Sequence, residues 1–222
     1  MYQIIRQKRK TVAIDIDNDL NIVIKVPHYL KTSEINKLIQ KHQSWIEKRV
    51  QEKTQHKKQH DWRVTNQILY LGEYREIYKI KEPWLRGRVV VDGNQLIIKL
   101  KEPESREETE RLIEQFFKEQ ADSILTNLTD YYADLIHVSY NKITIRNQKT
   151  RWGSCSSKGN ISYNVKILCA LEEMIAYIVL HEVMHLKHFN HGKAFWQEIA
   201  EIMPDYKDKM NYFKQFGQNF II

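Results

Sequence analysis

Apolar and polar residues alternate along several short stretches of the chain, as they do in half-buried β-strands. Three such stretches near the N-terminus cover residues 2–8, 11–17 and 20–26. Asn18-Asp19 is a turn signal between the second and the third, and Pro27 ends the third. Two β-hairpins are predicted further along, over residues 68–80 and 88–100. The first hundred residues are therefore predicted to be rich in β-structure.

Other stretches repeat their apolar residues at helical spacing. The first helix can be capped by Thr32 or Ser33, and it is predicted to run to about residue 58 with one apolar face. Ser105 opens a long helix that ends near residue 136. The remaining predicted elements are strands at 142–146 and 161–167 and helices at 171–189 and 193–203. Together these elements predict an α+β fold with a boundary near residue 103. The β-rich part, residues 1–103, includes one long basic amphipathic helix, and residues 104–222 form a second domain.

The candidate chemistry lies in an H-E-x-x-H sequence formed by His181, Glu182 and His185. Residues four apart on a helix project from the same face, so the two histidines can hold one metal ion between them. Glu182 then lies beside the metal and can take a proton from water. The preceding residues 171–180 contain no Gly or Pro and are mostly apolar, as in a buried helix, where histidines need partners. The alternative is a pair of core histidines hydrogen-bonded to the backbone.

A third protein ligand would leave the fourth position of a catalytic zinc site open. His188 lies on the same helical face, but about 7 Å along the helix axis from a metal held by the first two histidines. Asn190 and Gly192 flank His191, and both residue types tolerate the left-handed conformation that ends a helix. The chain can turn there, so His191 is the predicted third ligand. The remaining alternatives are two carboxylates of the next predicted helix, Glu198 and Glu201.

Four short sequences are more specific together than H-E-x-x-H alone. They are Arg151-Trp152-Gly153-Ser154-Cys155-Ser156, Gly159-Asn160-Ile161-Ser162-Tyr163-Asn164, His181-Glu182-x-x-His185 and Asn190-His191-Gly192-Lys193-x-Phe195-Trp196. With them the chain resembles the YgjP-like metallopeptidase family, a relative of the SprT-like and wider zincin proteases. The resemblance implies that the second domain is a zincin-like metallopeptidase core with the H-E-x-x-H motif on a buried helix. It also implies zinc bound by His181, His185 and His191, with Glu182 as the catalytic acid/base.

The strand predicted over residues 161–167 directly precedes the metal-binding helix. In zincins an edge strand beside the site can bind an extended peptide through backbone hydrogen bonds. Tyr163 and Asn164 of this strand are therefore candidate substrate-binding residues. Arg151 is a third candidate, because a positive or hydroxyl donor should stabilise the oxyanion of the substrate; Tyr163, Tyr206 and Tyr212 are the alternatives for that role. The predicted function is that of a zinc-dependent hydrolase, a metallopeptidase that cleaves peptide bonds in peptides or proteins with a Glu-activated water.

Length and composition agree with a folded protein. At 222 residues, of which 42% are hydrophobic and 11% aromatic, the chain can bury one ample core or two small ones. The first ten residues lack the apolar core of a signal peptide, and no stretch approaches the roughly 18 apolar residues of a membrane span. Cys155 and Cys169 are isolated and fit neither a disulfide framework nor a C-x-x-C site. The sequence therefore predicts a cytoplasmic protein with no membrane partner.

Positive charge is concentrated at one end of the chain. Residues 1–60 contain thirteen Lys/Arg and six Asp/Glu, a net charge of +7, and the other residues contain twenty-two of each. Such a basic region could contact phosphates or nucleic acid, although a solvated helix face is the simpler interpretation. Two alternative functions follow. One is a metal-dependent nucleotide phosphohydrolase (a pyrophosphatase). The absence of a Gly-rich phosphate loop from the sequence argues against it. The other is a nucleic-acid-associated protein with a structural metal.

Overall fold

The computed structural model describes residues 2–17, 20–84 and 86–222. Within this part of the chain, three small β-sheets and seven α-helices form the predicted α+β fold. The chain divides into two compact units, Met1–Gln59 and His60–Ile222. No helix in the described ranges is both long enough and apolar enough to cross a membrane.

The first unit contains a three-stranded sheet. Its strands are β1 (Tyr2–Gln7), β2 (Ala13–Ile16) and β3 (Ile22–Pro27), in the spatial order β1-β3-β2. β1 runs parallel to β3, and β2 runs antiparallel to it. The side chains of Ile24 and Val26 are buried, because alternate residues of a strand face the same side of the sheet. All three predicted strands therefore form, while the turn predicted at Asn18-Asp19 lies outside the described residues.

The single helix predicted over residues 32–58 is instead two helices, α1 (Thr32–Lys41) and α2 (Gln43–His60). His42 lies between them with φ −103° and ψ 9°, and its N–H is shared among carbonyl oxygens of the last turn of α1. A tightened last turn of this kind ends a helix. Ile46 is the single buried residue of α2. The apolar face predicted for one long helix is therefore buried mainly in the part that forms α1.

The second unit begins with helix α3 (Trp62–Thr65) and a four-stranded sheet. The strands are β4 (Gln67–Tyr70), β5 (Glu73–Lys81), β6 (Arg88–Asp92) and β7 (Gln95–Leu100), in the spatial order β4-β5-β7-β6. Both predicted hairpins form, with Tyr70 opposite Glu73 and Asp92 opposite Gln95. β5 and β7 pair in parallel, which joins the two hairpins into one sheet.

Helix α4 (Arg106–Leu135) shares a core with this sheet. Its N-terminus is capped as predicted, because the hydroxyl of Ser105 accepts a hydrogen bond from the N–H of Glu108 at 3.2 Å. Phe117 is fully buried, and its ring meets Tyr70 of β4 edge to face, with ring centroids 5.6 Å apart. The buried residues of β7 belong to the same core and are Leu96, Ile98 and Leu100.

The boundary predicted near residue 103 falls inside the second unit. The sheet of residues 67–100 has no core of its own, because the buried residues from Trp62 to Phe220 form one continuous cluster. A sheet with an apolar face must bury that face against another layer, and here α4 belongs to that layer. The core of the second unit is thus formed by residues 60–222 and not by residues 104–222 alone.

A third, smaller sheet lies in the C-terminal half of the second unit. Its strands are β8 (Lys142–Arg146), β9 (Gly153–Cys155) and β10 (Asn160–Asn164), with β10 in the middle. The strand predicted over residues 161–167 ends early, because the side chain of Asn164 accepts a hydrogen bond from the N–H of Lys166 at 3.2 Å and a 3-10 turn follows. β10 is therefore a central strand, and the edges of this sheet are β8 and β9.

The unit ends with three helices, α5 (Glu172–Met184), α6 (Lys193–Ile202) and α7 (Tyr206–Phe216). α5 is shorter than the predicted helix over residues 171–189. α7 has no counterpart in the prediction, because the residues that it buries are Phe213 and Lys209, and a buried lysine breaks the apolar pattern. Lys209 is ion-paired with Asp205 and with Glu173 of α5, which links α7 to α5.

We expect a fragment of residues 60–222 to fold and a fragment of residues 104–222 not to fold. The shorter fragment lacks strands β4–β7, so the side of α4 that carries Phe117 would be exposed to water. The free energy lost with that burial is comparable to the whole stability of a domain, about 5–15 kcal/mol. Thermal unfolding followed by circular dichroism should show a cooperative transition for the longer fragment only. A cooperative transition in the shorter one would support a boundary near residue 103.

Candidate metal centre

Helix α5 carries the H-E-x-x-H sequence at its C-terminal end. His181 and Glu182 lie in its last turn, and His185 is the first residue after it, with φ −66° and ψ −16°. Most sides of the helix are enclosed by the core; its buried residues are Ile175, Tyr177, Ile178, Val179, Leu180, Glu182, Val183 and Met184. The site is therefore built on a rigid, packed element.

The chain turns sharply after α5 and brings a third histidine back to the first two. The N–H groups of Leu186 and Lys187 bond to carbonyl groups three residues back instead of four, which tightens the turn. As a result, Nε2 of His191 lies 3.0 Å from Nε2 of His181. One ligand atom from each of His181, His185 and His191 lies within 4.8 Å of the other two. The structure thus brings these three histidines to one point.

Local contacts orient the two imidazole rings at the end of α5. Nδ1 of His185 lies 3.1 Å from the carbonyl oxygen of His188. When Nδ1 donates its hydrogen to that carbonyl, Nε2 of His185 is left with a free lone pair. Nδ1 of His181 is buried and has no hydrogen-bond partner in the described part of the chain. The ring of His181 is therefore held by packing against Phe195 and by the contact of its Nε2 with His191.

Two of the other three candidate ligands, His188 and Glu198, contact each other. Nε2 of His188 lies 2.9 Å from one carboxylate oxygen of Glu198, and Lys187 donates to the other at 2.8 Å. Hydrogen bonds from Lys187 and His188 hold the pKa of Glu198 below its ordinary value. Glu201 is exposed on α6. None of these side chains belongs to the group formed by the three histidines.

Helix α6 supplies the aromatic side chains that surround the histidines. Phe195 is fully buried, and its ring centroid lies between 4.8 and 5.1 Å from those of all three imidazoles. Trp196 stacks on His191 with ring centroids 5.6 Å apart, and it donates its indole N–H to the carbonyl of His191 at 3.1 Å. Tyr206 stacks on Trp196 in turn. These contacts fix the returning segment that carries His191.

The surroundings of the histidines favour neutral imidazoles. Burial, together with the neighbouring His185 and His191, lowers the pKa of His181 to about 3, and burial contributes most. Burial also lowers the pKa of His185. A metal ion binds the neutral form of imidazole, through the lone pair that a proton would otherwise occupy. The three histidines therefore fit a metal ion that prefers nitrogen ligands.

Glu182 lies against strand β9. A Cβ atom built on Gly153 would be 2.6 Å from Cγ of Glu182, so the two residues are in close contact. Glu182 is only 6% exposed. Burial raises the pKa of its carboxyl group to about 8, although the positive charge of Arg151 partly opposes this rise. A carboxyl group with such a pKa can hold and release a proton near neutral pH.

The three predicted substrate-binding residues differ in burial: Tyr163 and Asn164 are buried and Arg151 is exposed. Tyr163 is fully buried, and its hydroxyl lies 2.9 Å from Oγ1 of Thr129. Asn164 is 2% exposed, and its amide donates to the carbonyl oxygens of Gln148 and Arg151 at 2.8 Å each. Both side chains would have to leave these partners to contact a substrate. The side chain of Arg151, in contrast, is exposed.

Two features beside the histidines have no counterpart in the sequence-based prediction. One is strand β9, although the Arg151–Ser156 sequence that carries the family resemblance covers it. The other is a cavity of about 330 Å³, lined by residues 139–141, residues 156–159, Leu186 and Phe189. Leu186 directly follows His185, and residue 156 directly follows β9. The cavity therefore shares its walls with the segments that form the site.

The model of the YgjP-like, metallopeptidase domain family matches residues 10–216, so the chain belongs to this family. Among solved structures, the metallopeptidase zymogen of Pyrococcus abyssi abylysin is similar, with 25% sequence identity and a TM-score of 0.39 over 44% of this chain and 99% of that chain. The metallopeptidase zymogen of Methanocaldococcus jannaschii jannalysin is similar with 21% identity and a TM-score of 0.37, over 41% of this chain and 88% of that chain. No curated protein sequence matches the chain significantly.

Replacing Tyr163 by Phe should lower stability and leave substrate affinity unchanged. The hydroxyl of Thr129 already donates to the carbonyl of Leu125, so Tyr163 is the donor in their shared hydrogen bond. Its loss should cost about 1 kcal/mol of unfolding free energy, or about 2–4 °C in Tm. The control, Tyr131→Phe, changes an exposed hydroxyl and should stay within about 0.5 kcal/mol. A raised KM for a cleaved peptide in Tyr163→Phe would instead support substrate contact.

Proposed function

We propose that this member of the YgjP-like family is a zinc-dependent peptidase. The observation that carries the proposal is the meeting of His181, His185 and His191 at one point, with Glu182 in the same helical turn as His181. Membership of a metallopeptidase family supports hydrolysis of peptide bonds with the help of a metal ion. We assign the three histidines to the metal and Glu182 to proton transfer.

The identity of the metal is proposed from the chemistry of its ligands. Imidazole nitrogens suit zinc, whereas magnesium and calcium prefer oxygen. The 3.0 Å between Nε2 of His181 and Nε2 of His191 is short enough for both nitrogens to bind one ion. Three protein ligands leave one coordination position open, as in catalytic zinc sites. When bound, zinc supplies Lewis-acid chemistry, which polarises a carbonyl group and promotes attack by water.

We assign the proton transfers of hydrolysis to Glu182. Its carboxylate takes a proton from the attacking water and passes it to the nitrogen of the leaving amine. Arg151 is exposed and close enough to Glu182 to lower the pKa of that carboxyl group. We assign Arg151 to the negative charge that develops on the carbonyl oxygen of the substrate, because a nearby cation stabilises such a charge.

An extended peptide can bind at the free edge of β9. The N–H of Asn164 donates to the carbonyl of Trp152 at 2.8 Å, so the backbone groups of Trp152 face β10. Backbone groups alternate in direction along a strand, so those of Gly153 face the other side, where no strand of the described residues pairs. A peptide added there would lie beside Glu182, which contacts Gly153. This edge replaces residues 161–167 as the proposed binding strand.

The alternative functions have less support. A structural metal needs a fourth ligand, and the group found among the described residues consists of three histidines. A nucleotide phosphohydrolase has two observations against it. The sequence has no Gly-rich phosphate loop, and the candidate metal ligands are histidines, whereas magnesium prefers oxygen ligands.

About one zinc ion per chain is expected in the purified protein, and the His191→Ala variant should lose it. Removing one of three ligands leaves two histidines that cannot hold the ion tightly. His188→Gln is the matched control, because the side chain of His188 pairs with Glu198 while its backbone carbonyl, which contacts His185, is unchanged. Elemental analysis measures both. Zinc retained in His191→Ala would assign the third ligand to another residue.

The Glu182→Gln variant should keep its zinc and lose peptide cleavage. An amide cannot take the proton of the attacking water, and the loss of a general base lowers kcat by about 100-fold or more. Cleavage of a peptide library, read by mass spectrometry, compares the wild type with Glu182→Gln and with Glu201→Gln, which changes an exposed carboxylate on α6. Equal cleavage by wild type and Glu182→Gln would contradict the proposed role of Glu182.

A further inference from the structure

Gly153 of strand β9 leaves no room for a side chain. A Cβ atom at this position would lie 2.6 Å from Cγ, 2.7 Å from Oε1 and 2.8 Å from Cδ of Glu182. Non-bonded carbon atoms approach one another to about 3.5–4.0 Å at their optimal separation. A methyl group on Gly153 would therefore overlap Cγ, Cδ and one carboxyl oxygen of Glu182.

The backbone at this position does not itself require glycine. Glycines with a positive φ, where other residues are strained, are Gly72, Gly93 and Gly159, and Gly153 is not one of them. Position 153 lies inside a strand, in register with Tyr163 of β10. Any residue could adopt this extended conformation. Glycine is therefore needed here because its missing side chain leaves room for Glu182.

Neither the helix nor the strand that forms this contact can move away easily. Glu182 is 6% exposed, and the residues that follow it on α5, Val183 and Met184, are fully buried. On the side of the strand, Trp152 is packed against Phe213 and Phe220, with ring centroids 5.3 and 5.5 Å apart. Both the helix and the strand are thus held by the core. An added methyl group would have to be accommodated by displacing the carboxyl group.

We propose that Gly153 is a positioning residue: because it has no side chain, the carboxylate of Glu182 can occupy the position from which it transfers protons. The inference rests on the proposed function, because it assumes that Glu182 transfers protons. It adds a role for β9 besides peptide binding: the strand forms the wall against which the carboxylate rests. Gly153 itself touches neither the metal ligands nor the transferred proton.

The test compares Gly153→Ala with Gly192→Ala. Gly192 lies next to His191, has φ −75°, and a Cβ atom there would meet nothing within 4 Å, so it is a matched control near the site. We expect Gly153→Ala to keep one zinc per chain and an unchanged KM while kcat falls about 100-fold, the effect of moving a reacting group by roughly 1 Å. Gly192→Ala should match the wild type in all three. Wild-type kcat in Gly153→Ala would overturn the proposal.

A second pair of variants tests the contact without relying on activity. Gly153→Ala should lower Tm in the wild-type chain and have a smaller effect in the Glu182→Ala background, where the overlapping atoms are absent. Non-additive effects are expected for residues in direct contact. Equal losses of Tm in both backgrounds would show that the methyl group clashes elsewhere and would overturn the inference. If Gly153→Ala alone does not fold, recovery of folding in the double variant supports the contact, and its failure refutes it.

The two levels of the proposal fail in different ways. If Glu182→Gln cleaves peptides as well as the wild type does, the proposed role of Glu182 is wrong and the inference loses its premise, whatever Gly153→Ala does. If Glu182→Gln abolishes cleavage but Gly153→Ala keeps full kcat, the peptidase mechanism stands and only the positioning role of Gly153 is lost.

Discussion

The metal centre depends on where helix α5 ends. If the helix continued to residue 189, as its sequence predicts, each further residue would carry the chain 1.5 Å along the axis and away from His181. Instead, the helix ends at Met184 and the chain folds back, so that Nε2 of His191 comes within 3.0 Å of Nε2 of His181. The aromatic residues of α6 then hold this returning segment. A regular helix can bring two histidines together, and the turn adds the third.

One physical effect, the loss of hydration, prepares both the metal ligands and the carboxyl group. Burial disfavours the charged form of any titratable group, so it lowers the pKa of His181 to about 3 and raises that of Glu182 to about 8. The first shift leaves a neutral imidazole with a free lone pair. The second gives a carboxyl group that can carry a proton. The packing of α5 into the core therefore supports both halves of the proposed chemistry.

Elements with a clear local pattern could be predicted from the sequence, and elements that depend on distant contacts could not. Alternation predicted strands β1–β3 and both hairpins, and helical spacing predicted α4. Strand β9 has only three residues, Gly153–Cys155, which is too short to show a period, and it forms because β10 pairs with it. The sequence likewise showed that α4 has an apolar face, but not that residues 67–100 share its core. The H-E-x-x-H spacing predicted that His181 and His185 share a helical face, and the residues flanking His191 predicted that the chain turns back there, but the sequence did not show that the turn begins directly after Met184.

Strand β9 brings two sequence motifs into contact, the Arg151–Ser156 sequence and H-E-x-x-H, which are about thirty residues apart. Trp152 packs against Phe213 and Phe220, and a Cβ atom at Gly217 would overlap its ring, so the C-terminal segment holds the strand in place. Gly153, the next residue, faces Glu182 of α5. If the strand were loosely held, it could yield to a larger side chain at position 153 and the carboxyl group would stay where it is. Because Trp152 is anchored, the position of the strand also sets the position of the carboxylate. The C-terminal segment thus bears on the proposed proton transfer without reaching the metal ligands.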